Sequence, residues 1–183
     1  TRAEYFATNV DWTLRVLRAL PRDCRTVILS SQSAGGPTPD SRSARSEADA
    51  DAPVTWYGES KLELEKAVAR EFPDRPITIL RPPMILGARD TATLPLFKMA
   101  RGVIRTKPGL RLKEFTFLAV DDVVSAIQEA FEVNARGPFY IGSDQPVSDH
   151  ELLASAARAA GGKGITLPVP TPLVRLMAAI VDA

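Results

Sequence analysis

Residues 55–80, TWYGESKLELEKAVAREFPDRPITIL, decide the fold, because a helical stretch leads directly into a short strand. Apolar residues recur at helical spacing from Thr55 to Phe72. Ile77 to Leu80 then has no polar alternation, which predicts a strand buried on both faces. The residues expected on the inner side of the helix are Leu62, Leu64, Ala67 and Val68.

The segment before this stretch has the same order of helix and strand. Helical spacing of apolar residues predicts a helix from Ala3 to Leu20, which Pro21 ends. The run TVILS, Thr26 to Ser30, predicts another strand buried on both faces. A long polar, turn-rich loop, residues 32–53, follows it. Alternation of helices with buried strands predicts a parallel α/β sheet.

Beyond Gly87 the pattern is looser and mixes helices with short strands. Spacing and capping residues predict helices over Thr93–Val103, Asp122–Glu132 (capped by Asp121) and Ser148–Ala160, and a last apolar helix from Pro172. Apolar runs predict strands over Phe115–Val120, Phe139–Ile141 and Ile165–Val169. A basic stretch in this half is interpreted as a solvated face, with contact to an anionic substrate group or acidic lipid as the alternative. Its residues are Arg101, Arg105, Lys107, Arg111 and Lys113.

The composition excludes several classes of function. The chain has 183 residues, of which 45% are hydrophobic and 25% charged, so it is not a fully disordered or low-complexity chain. Its net charge of +1 gives no overall basic field, and we expect no nucleic-acid partner. With only Cys24 and His150 of their kinds, the chain offers neither an intrachain disulfide nor a metal site rich in cysteine or histidine.

The ends of the chain carry expectations about where it acts. No secretory leader pattern opens the chain, and its apolar stretches are shorter than the roughly 18 residues that cross a bilayer. The expected compartment is therefore the cytoplasm. The chain starts at Thr1 without methionine and enters a helical pattern at once, which predicts a piece of a longer protein. Membrane contact through the apolar tail, Pro172 to Ala183, is left open.

Tyr57 and Lys61 form a Y-x-x-x-K pair at the start of the central helix. A separation of four residues is about one helical turn, so the phenol and the ammonium project from one face. A phenol is a weak base near neutral pH, and a neighbouring ammonium favours its ionised form. The pair therefore suits general acid–base chemistry, although chance occurrence is the alternative for this motif taken alone.

Hydroxyl groups follow the strand that precedes this helix. Ser30 and Ser31 stand at its carboxyl end, which is where open α/β sheets bind ligands. The alternative for two serines at this place is turn chemistry. The strand after the helix leads into LRPPMILG, residues 80–87.

This ordered set resembles the extended short-chain dehydrogenase/reductase superfamily, also called the NAD-dependent epimerase/dehydratase family. Tyr57 and Lys61 match its catalytic tyrosine–lysine pair, and Ser31 corresponds to its catalytic serine or threonine. The segment LRPPMILG is similar to the family's stretch whose backbone approaches the nicotinamide. Asn9 resembles the asparagine of the N-V-x-G-T helix, although Trp12 stands where glycine is usual. FTFLAVDDVVSAI, residues 115–127, resembles a further family segment.

The resemblance implies a site and a cofactor. It implies catalytic roles for Ser31, Tyr57 and Lys61, contact of NAD or NADP with Tyr57, Lys61, Pro82 and Ile85, and substrate contact with Ser31, Ser33 and Met84. The family's glycine-rich dinucleotide-binding turn does not occur in this sequence, so an N-terminal part of about 80 residues is expected to be missing. The chain alone is therefore expected to be inactive.

The resemblance also implies the fold and the kind of reaction. We expect residues 1–87 to be the second half of a Rossmann-like parallel sheet with helices on its faces. Residues 88–183 should be mainly a small α+β substrate lobe, with 115–133 returning to the Rossmann domain. The expected activity is that of an oxidoreductase or epimerase on a carbonyl or hydroxyl group, and homodimers through the helices that hold Asn9 and Tyr57 are common in the family.

The substrate and the catalytic role leave alternatives open. Met84 occupies a place where the sugar-nucleotide branch commonly has asparagine, and it belongs to an apolar wall of residues 82–86. This resembles the 3β-hydroxysteroid dehydrogenase and dihydroflavonol reductase branch and predicts a small apolar substrate. Simple core packing of the wall is the alternative. A nucleotide-sugar epimerase or dehydratase, and a non-catalytic dinucleotide sensor of the same fold, are the alternative functions.

Overall fold

The computed structural model describes residues 1–39, 44–133 and 135–174 and forms two compact units. The first unit consists of Thr1–Ile85 and Leu118–Gly142. The second consists of Leu86–Phe117 and the described part of Ser143–Ala183. The parallel strands and the helices beside them confirm the predicted α/β class with a Rossmann-like sheet.

The helices and strands alternate along the chain. The helices are α1 (Arg2–Phe6), a π-helical segment (Ala7–Trp12) that continues into α2 (Thr13–Ala19), α3 (Trp56–Glu71), α4 (Leu94–Ala100), α5 (Val120–Val133) and α6 (Asp149–Ala160). The strands are β1 (Thr26–Leu29), β2 (Ile77–Arg81), β3 (Met84–Leu86), β4 (Ile104–Pro108), β5 (Glu114–Phe115), β6 (Phe117–Ala119), β7 (Gly137–Tyr140), β8 (Val147–Ser148) and β9 (Ile165–Val169).

A three-stranded parallel sheet organises the first unit, with strand order β1-β2-β7. Thr26 pairs with Ile77, and Thr78 pairs with Gly137. All five residues of β2 are buried, as the unbroken apolar run predicts for a strand between two neighbours. Because the strands are parallel, the residues after β1 and β2 meet at one edge of the sheet.

The core of the first unit lies between this sheet and the helices on one of its faces. Leu17 of α2 and Leu64 of α3 are almost fully buried, and they pack with Ile28 and Ile79 of the strands. The four residues predicted on the inner side of α3 are all buried. Thr55 caps α3 by accepting a hydrogen bond from the Gly58 amide at 3.0 Å, so the helix begins where the sequence predicts.

Strand β1 differs from the prediction of burial on both faces. Of its four residues only Ile28 is buried, and Leu29 is 39% exposed. The reason is its place in the sheet: β1 lies at the end of the described strand order, with β2 as its described neighbour. A short apolar run predicts a strand here, but it does not reveal that β2 is its one neighbour among the described strands.

A parallel pair of strands, β4 and β9, and helices α4 and α6 form the second unit. Ser148 caps α6 through the Glu151 amide at 3.1 Å, and Gly161 ends the helix with a φ of 72°. Strand β5 pairs antiparallel with β8. The helix predicted over 93–103 is shorter than expected, and most of the predicted last helix from Pro172 lies outside the described residues.

The interpretation of the basic stretch as a solvated face is wrong for two of its members. Arg105 and Lys107 alternate inward on β4 and are buried. The Arg105 guanidinium donates to the carbonyl groups of Ala100 and Gly164. The Lys107 ammonium lies 3.1 Å from the buried carboxylate of Asp149. The alternation of inward and outward residues along β4 cannot be recognised in its sequence, because the inward positions carry long cations. The partners that allow these cations to be buried are distant along the chain.

A smaller correction concerns the start of α5. The sequence predicts Asp121 as the cap of this helix, but α5 begins at Val120, so Asp121 and Asp122 both lie in its first turn. Carboxylates in a first helical turn interact favourably with the helix dipole, so the acidic pair still has a structural explanation.

Candidate functional site

The first turns of α3 pack tightly against the turn that follows β1. A Cβ added to Gly58 would lie 2.3 Å from the carbonyl oxygen of Ser33. Only glycine allows this close approach, so the glycine of YGESK is needed for the contact between the helix and the turn. Ser33 and Tyr57 consequently line the same open cleft, together with Val54, Thr55 and Trp56.

Tyr57 and Lys61 lie together on one face of α3, as their spacing predicts. The Lys61 ammonium is 5.7 Å from the centre of the Tyr57 ring and donates a hydrogen bond to the Leu29 carbonyl at 3.0 Å. The Tyr57 ring packs edge-on against Tyr5, with 5.9 Å between ring centres. The tyrosine ring is thus fixed on one side by α1, and the lysine is tied to the carboxyl end of β1.

The position of Lys61 changes its acid–base behaviour. Burial lowers the pKa of the Lys61 ammonium below its usual range, and the negative charge of Glu65, one turn further along α3, opposes that effect. Both side chains of the Y-x-x-x-K pair are only partly buried. Each side chain therefore keeps part of its surface open to solvent.

Ser31 lies at the predicted strand end, and its hydroxyl takes part in a turn. It accepts a hydrogen bond from the Ser33 amide at 3.1 Å and so caps a short 3-10 turn, Gln32–Ala34. Turn chemistry, the alternative for this serine, is therefore present. Among the described contacts, no hydrogen bond joins the Ser31 hydroxyl to Tyr57, although the turn after Ser31 packs directly on Gly58.

The apolar segment after β2 is divided between core and surface. Pro82 and Pro83 are buried, and the Pro82 carbonyl accepts a hydrogen bond from the Gln32 amide at 2.9 Å. Met84 is 48% exposed and Ile85 is partly buried on β3. Pro82 is therefore bonded to the turn after β1, whereas the Met84 side chain is exposed to solvent.

Asn9 is connected to the start of α3 by hydrogen bonds through Ser60. Its side-chain amide donates to the Ser60 hydroxyl at 2.9 Å, and that hydroxyl donates to the Tyr57 carbonyl at 2.8 Å. Asn9 belongs to the π-helical segment, a geometry that occurs often at functional sites. The buried Ser60 thus connects the two helices through Asn9 and the Tyr57 backbone.

A buried ionic cluster joins β2, α3 and the loop before α3, and none of the sequence motifs predicts it. The Arg81 guanidinium contacts the carboxylates of Glu65 and Asp51, and the Ser30 hydroxyl donates to Glu65. The sequence does carry two signals of this cluster. Arg81 is a charge at the end of a buried strand, and Glu65 lies one turn after Lys61 within a buried helical face.

The described residues offer neither a metal site nor a membrane span. Within 1–39, 44–133 and 135–174, no group of three or more histidine, cysteine, aspartate or glutamate residues is arranged to hold a metal ion. No helix in these ranges has the length and apolarity to span a bilayer.

Comparison with known proteins gives a consistent result. The model of the "NAD dependent epimerase/dehydratase family" matches residues 1–142. No curated protein sequence gives a significant match. Among solved structures, a Burkholderia cenocepacia protein provisionally designated an epimerase is 28% identical, with a TM-score of 0.77 over 92% of this chain and 58% of its own.

Two further structures extend this comparison. RMD from Pseudomonas aeruginosa, solved with NADPH, is 19% identical, with a TM-score of 0.79 over 91% of this chain and 63% of its own. MoeE5, solved with UDP-glucose and NAD, is 25% identical, with a TM-score of 0.71 over 88% of this chain and 57% of its own. The chain therefore spans only about three fifths of the length of the proteins it resembles.

Proposed function

The chain belongs to the NAD-dependent epimerase/dehydratase family, and we propose that it carries the catalytic tyrosine–lysine site of an NAD(P)-dependent oxidoreductase or epimerase. The reaction takes place at a substrate carbon that bears a hydroxyl or carbonyl group. The proposed roles belong to the protein at its full length, since relatives of similar structure are longer than this chain.

One observation carries the proposal. The Tyr57 ring and the Lys61 ammonium lie 5.7 Å apart on one helix face, and the ammonium is hydrogen-bonded to the end of β1. A proton-exchanging phenol with a cation beside it, placed at the carboxyl end of a parallel sheet, is suited to hydroxyl–carbonyl interconversion. A purely dinucleotide-sensing protein has no need of such a proton donor.

The described residues fit the nicotinamide end of a dinucleotide. Lys61 and Tyr57 are partly exposed, and they can contact the ribose that carries the nicotinamide. Ile85 and the backbone around Pro82 are the proposed neighbours of the ring. A dinucleotide held by these residues would supply hydride transfer to and from the substrate carbon. Since RMD was solved with NADPH and MoeE5 with NAD, both dinucleotides belong in the test.

The residues of this chain supply the proton chemistry and the positioning. The Tyr57 hydroxyl gives its proton to the substrate oxygen during reduction, and the Tyr57 phenolate takes a proton from the substrate hydroxyl during oxidation. The Lys61 ammonium favours the ionised phenol during the oxidation step. For Ser31, we propose a hydrogen bond from its hydroxyl to the substrate oxygen that fixes the distance of this oxygen from Tyr57. The Ser31 oxygen accepts from the Ser33 amide, which leaves its O–H group as a donor for the substrate.

Two features bear on the substrate and point in different directions. The exposed thioether of Met84 supports a small apolar ketone or alcohol, and Ser33 is the other proposed substrate contact. MoeE5, in contrast, was solved with UDP-glucose. We favour the apolar substrate because Met84 offers a nucleotide sugar no strong hydrogen bond at this place.

The test is a substrate panel applied to the full-length protein. Apolar alcohols and ketones form one arm and UDP-sugars the other, each with NAD and with NADP. Cofactor reduction or oxidation is followed by absorbance, and epimerisation by NMR of the sugar. Turnover in the first arm is the expected result. Turnover only in the second arm rejects the apolar substrate, and no turnover in either arm contradicts the enzyme proposal.

A further inference from the structure

We propose that Arg81 is a positioning residue, whose guanidinium holds the strand end before Ser31, the α3 turn that carries Lys61 and the loop before α3 in one arrangement. The importance of these three segments rests on the proposed function. The positioning itself rests on the contacts of Arg81 and can be tested without any substrate.

The central contact is a buried ion pair between β2 and α3. The Arg81 and Glu65 side chains are only 3% and 6% exposed. Three hydrogen bonds join them: Arg81 Nε donates to both carboxylate oxygens, at 3.0 and 3.2 Å, and Nη2 donates to Oε2 at 2.5 Å. Burial lowers the pKa of Arg81, but hydrogen bonds to Glu65 and Asp51 outweigh it and raise the pKa above its usual range. The guanidinium therefore keeps its charge despite its burial.

Glu65 connects the Arg81 guanidinium to the strand end that precedes Ser31. Its carboxylate accepts a hydrogen bond from the Ser30 hydroxyl, and Ser30 is the residue directly before Ser31. Lys61, one turn earlier on the same helix, donates to the Leu29 carbonyl. Two successive residues of the β1 end are thus attached to two successive turns of α3, and Arg81 fixes the carboxylate at the centre of these contacts.

Arg81 also fixes the loop that leads to α3. Its Nη1 and Nη2 donate to the two carboxylate oxygens of Asp51, at 2.9 and 3.0 Å. Nη1 also donates to the Tyr140 hydroxyl on β7 at 2.9 Å. That hydroxyl accepts a second hydrogen bond from Arg45 Nε at 3.0 Å. The loop therefore reaches β7 through Arg45 and β2 through Asp51.

The chemistry of arginine explains why this residue stands here. A buried ion pair gives little net stability, since desolvation of the two charges offsets their attraction. A planar guanidinium does, however, satisfy several acceptors in fixed directions, which the point charge of a lysine ammonium cannot do. Arg81 is bonded to helix, loop and strand at once, so its contribution is to geometry more than to folding energy.

The experiment is amide hydrogen exchange on Arg81→Lys in this chain, with two reporter amides at the site. Gln32 N donates to the Pro82 carbonyl, and Ala52 N donates to the Gly35 carbonyl. Arg81→Lys keeps the positive charge but loses the planar guanidinium and its several directed hydrogen bonds. Both amides should therefore exchange about 10- to 100-fold faster. Amides in the centres of β2 and α3 should exchange at their wild-type rates, whereas a general loss of stability accelerates all of them together.

Arg18→Lys is the matched control. Arg18 also donates two hydrogen bonds to an α3 glutamate, at 3.1 and 2.7 Å to Glu71, but both side chains are far more exposed and lie at the other end of the helix. This variant should leave the exchange of both reporter amides unchanged.

The outcomes separate the proposal from its alternatives. Selective acceleration at Gln32 and Ala52 supports it. Unchanged exchange, or equal acceleration throughout the chain, overturns it. If Arg81→Lys does not fold, Asp51→Asn takes its place, since the Asp51 side chain is partly exposed. Faster exchange at Ala52 alone then supports the loop contact, and no change overturns it. Because no substrate is used, these results do not depend on the proposed enzyme activity.

Discussion

The ammonium of Lys61 experiences two opposing influences at the site. Burial lowers its pKa, and the charge of Glu65 raises it. The folded-state pKa of Lys61 therefore lies below that of the unfolded chain, which is near 10.4 for lysine. A protonated Lys61 then destabilises the fold at low pH, and this unfavourable contribution disappears as the pH rises from the folded towards the unfolded pKa.

Glu65→Gln should lower the pKa of Lys61 further, because it removes the opposing negative charge. Titration of the lysine side chains by NMR measures this shift, with Lys61→Met identifying the signal. Glu63→Gln, a partly buried neighbour on the same helix, is the control and should leave the Lys61 signal in place. An unchanged Lys61 titration in Glu65→Gln would show that the two charges do not interact.

The lowered pKa of Lys61 also predicts how the unfolding free energy changes with pH. Across the window below the ordinary lysine pKa, the unfolding free energy of the wild-type protein should rise with pH relative to that of Lys61→Met. Urea unfolding at a series of pH values measures it. A difference that stays constant or falls with pH would contradict the lowered pKa.

Helix α3 is the element that assembles the site, and its first turn depends on a glycine. Alanine at position 58 gains about 1 kcal/mol of helix propensity, but its Cβ would meet the Ser33 carbonyl at 2.3 Å. Overpacking of this kind destabilises by about 1–3 kcal/mol, and the obstructing atom is backbone. Gly58→Ala should therefore lower the urea midpoint, and an increased midpoint would show that the turn gives way freely.

At the scale of helices and strands, the sequence predicts where these elements lie better than it predicts which side chains contact each other between them. Thr55, Ser148 and Gly161 act through neighbours three or four residues away, so the ends of α3 and α6 could be predicted locally. Arg81 and Glu65 are joined across 16 residues, and Lys107 meets Asp149 across a far longer separation. Patterns of polarity assign such cations to solvent, because their burial depends on partners that only the fold brings close.

The candidate site shows the same division. Helical geometry alone places Lys61 beside Tyr57, so their proximity follows from the spacing. The turn contact of Ser31 is also local, since its partner Ser33 lies two residues away. The burial of Pro82 and Pro83 depends instead on how β1 and β2 end side by side. Catalytic roles for these residues stay predictions, as do the steroid-like branch and the domain limits at residue 87.

On the scale of the whole molecule, the first helix exposes large apolar residues. Trp12 and Val16 are four residues apart, and they are 61% and 55% exposed. Exposed apolar residues that lie together are often covered by another chain, and the homodimer of the sequence analysis stays a prediction. The partner we predict is a second copy of the same chain.

Sedimentation of the protein at micromolar concentration should therefore give the mass of a dimer, and Trp12→Arg should shift it to the monomer. Val103→Arg is the control, since Val103 is 80% exposed in the second unit and should not affect association. A wild-type protein that sediments as a monomer would contradict the predicted self-association.

The central claim is that Tyr57 exchanges the proton in a reaction of the epimerase/dehydratase family, and turnover of Tyr57→Phe in the full-length protein tests it most directly. Loss of the hydroxyl alone should reduce kcat by roughly 10²- to 10⁴-fold while substrate and cofactor affinities change little. Tyr5→Phe, which alters the neighbouring ring in the same way, should keep wild-type turnover. If Tyr57→Phe turns over as fast as the wild type, the catalytic assignment is contradicted.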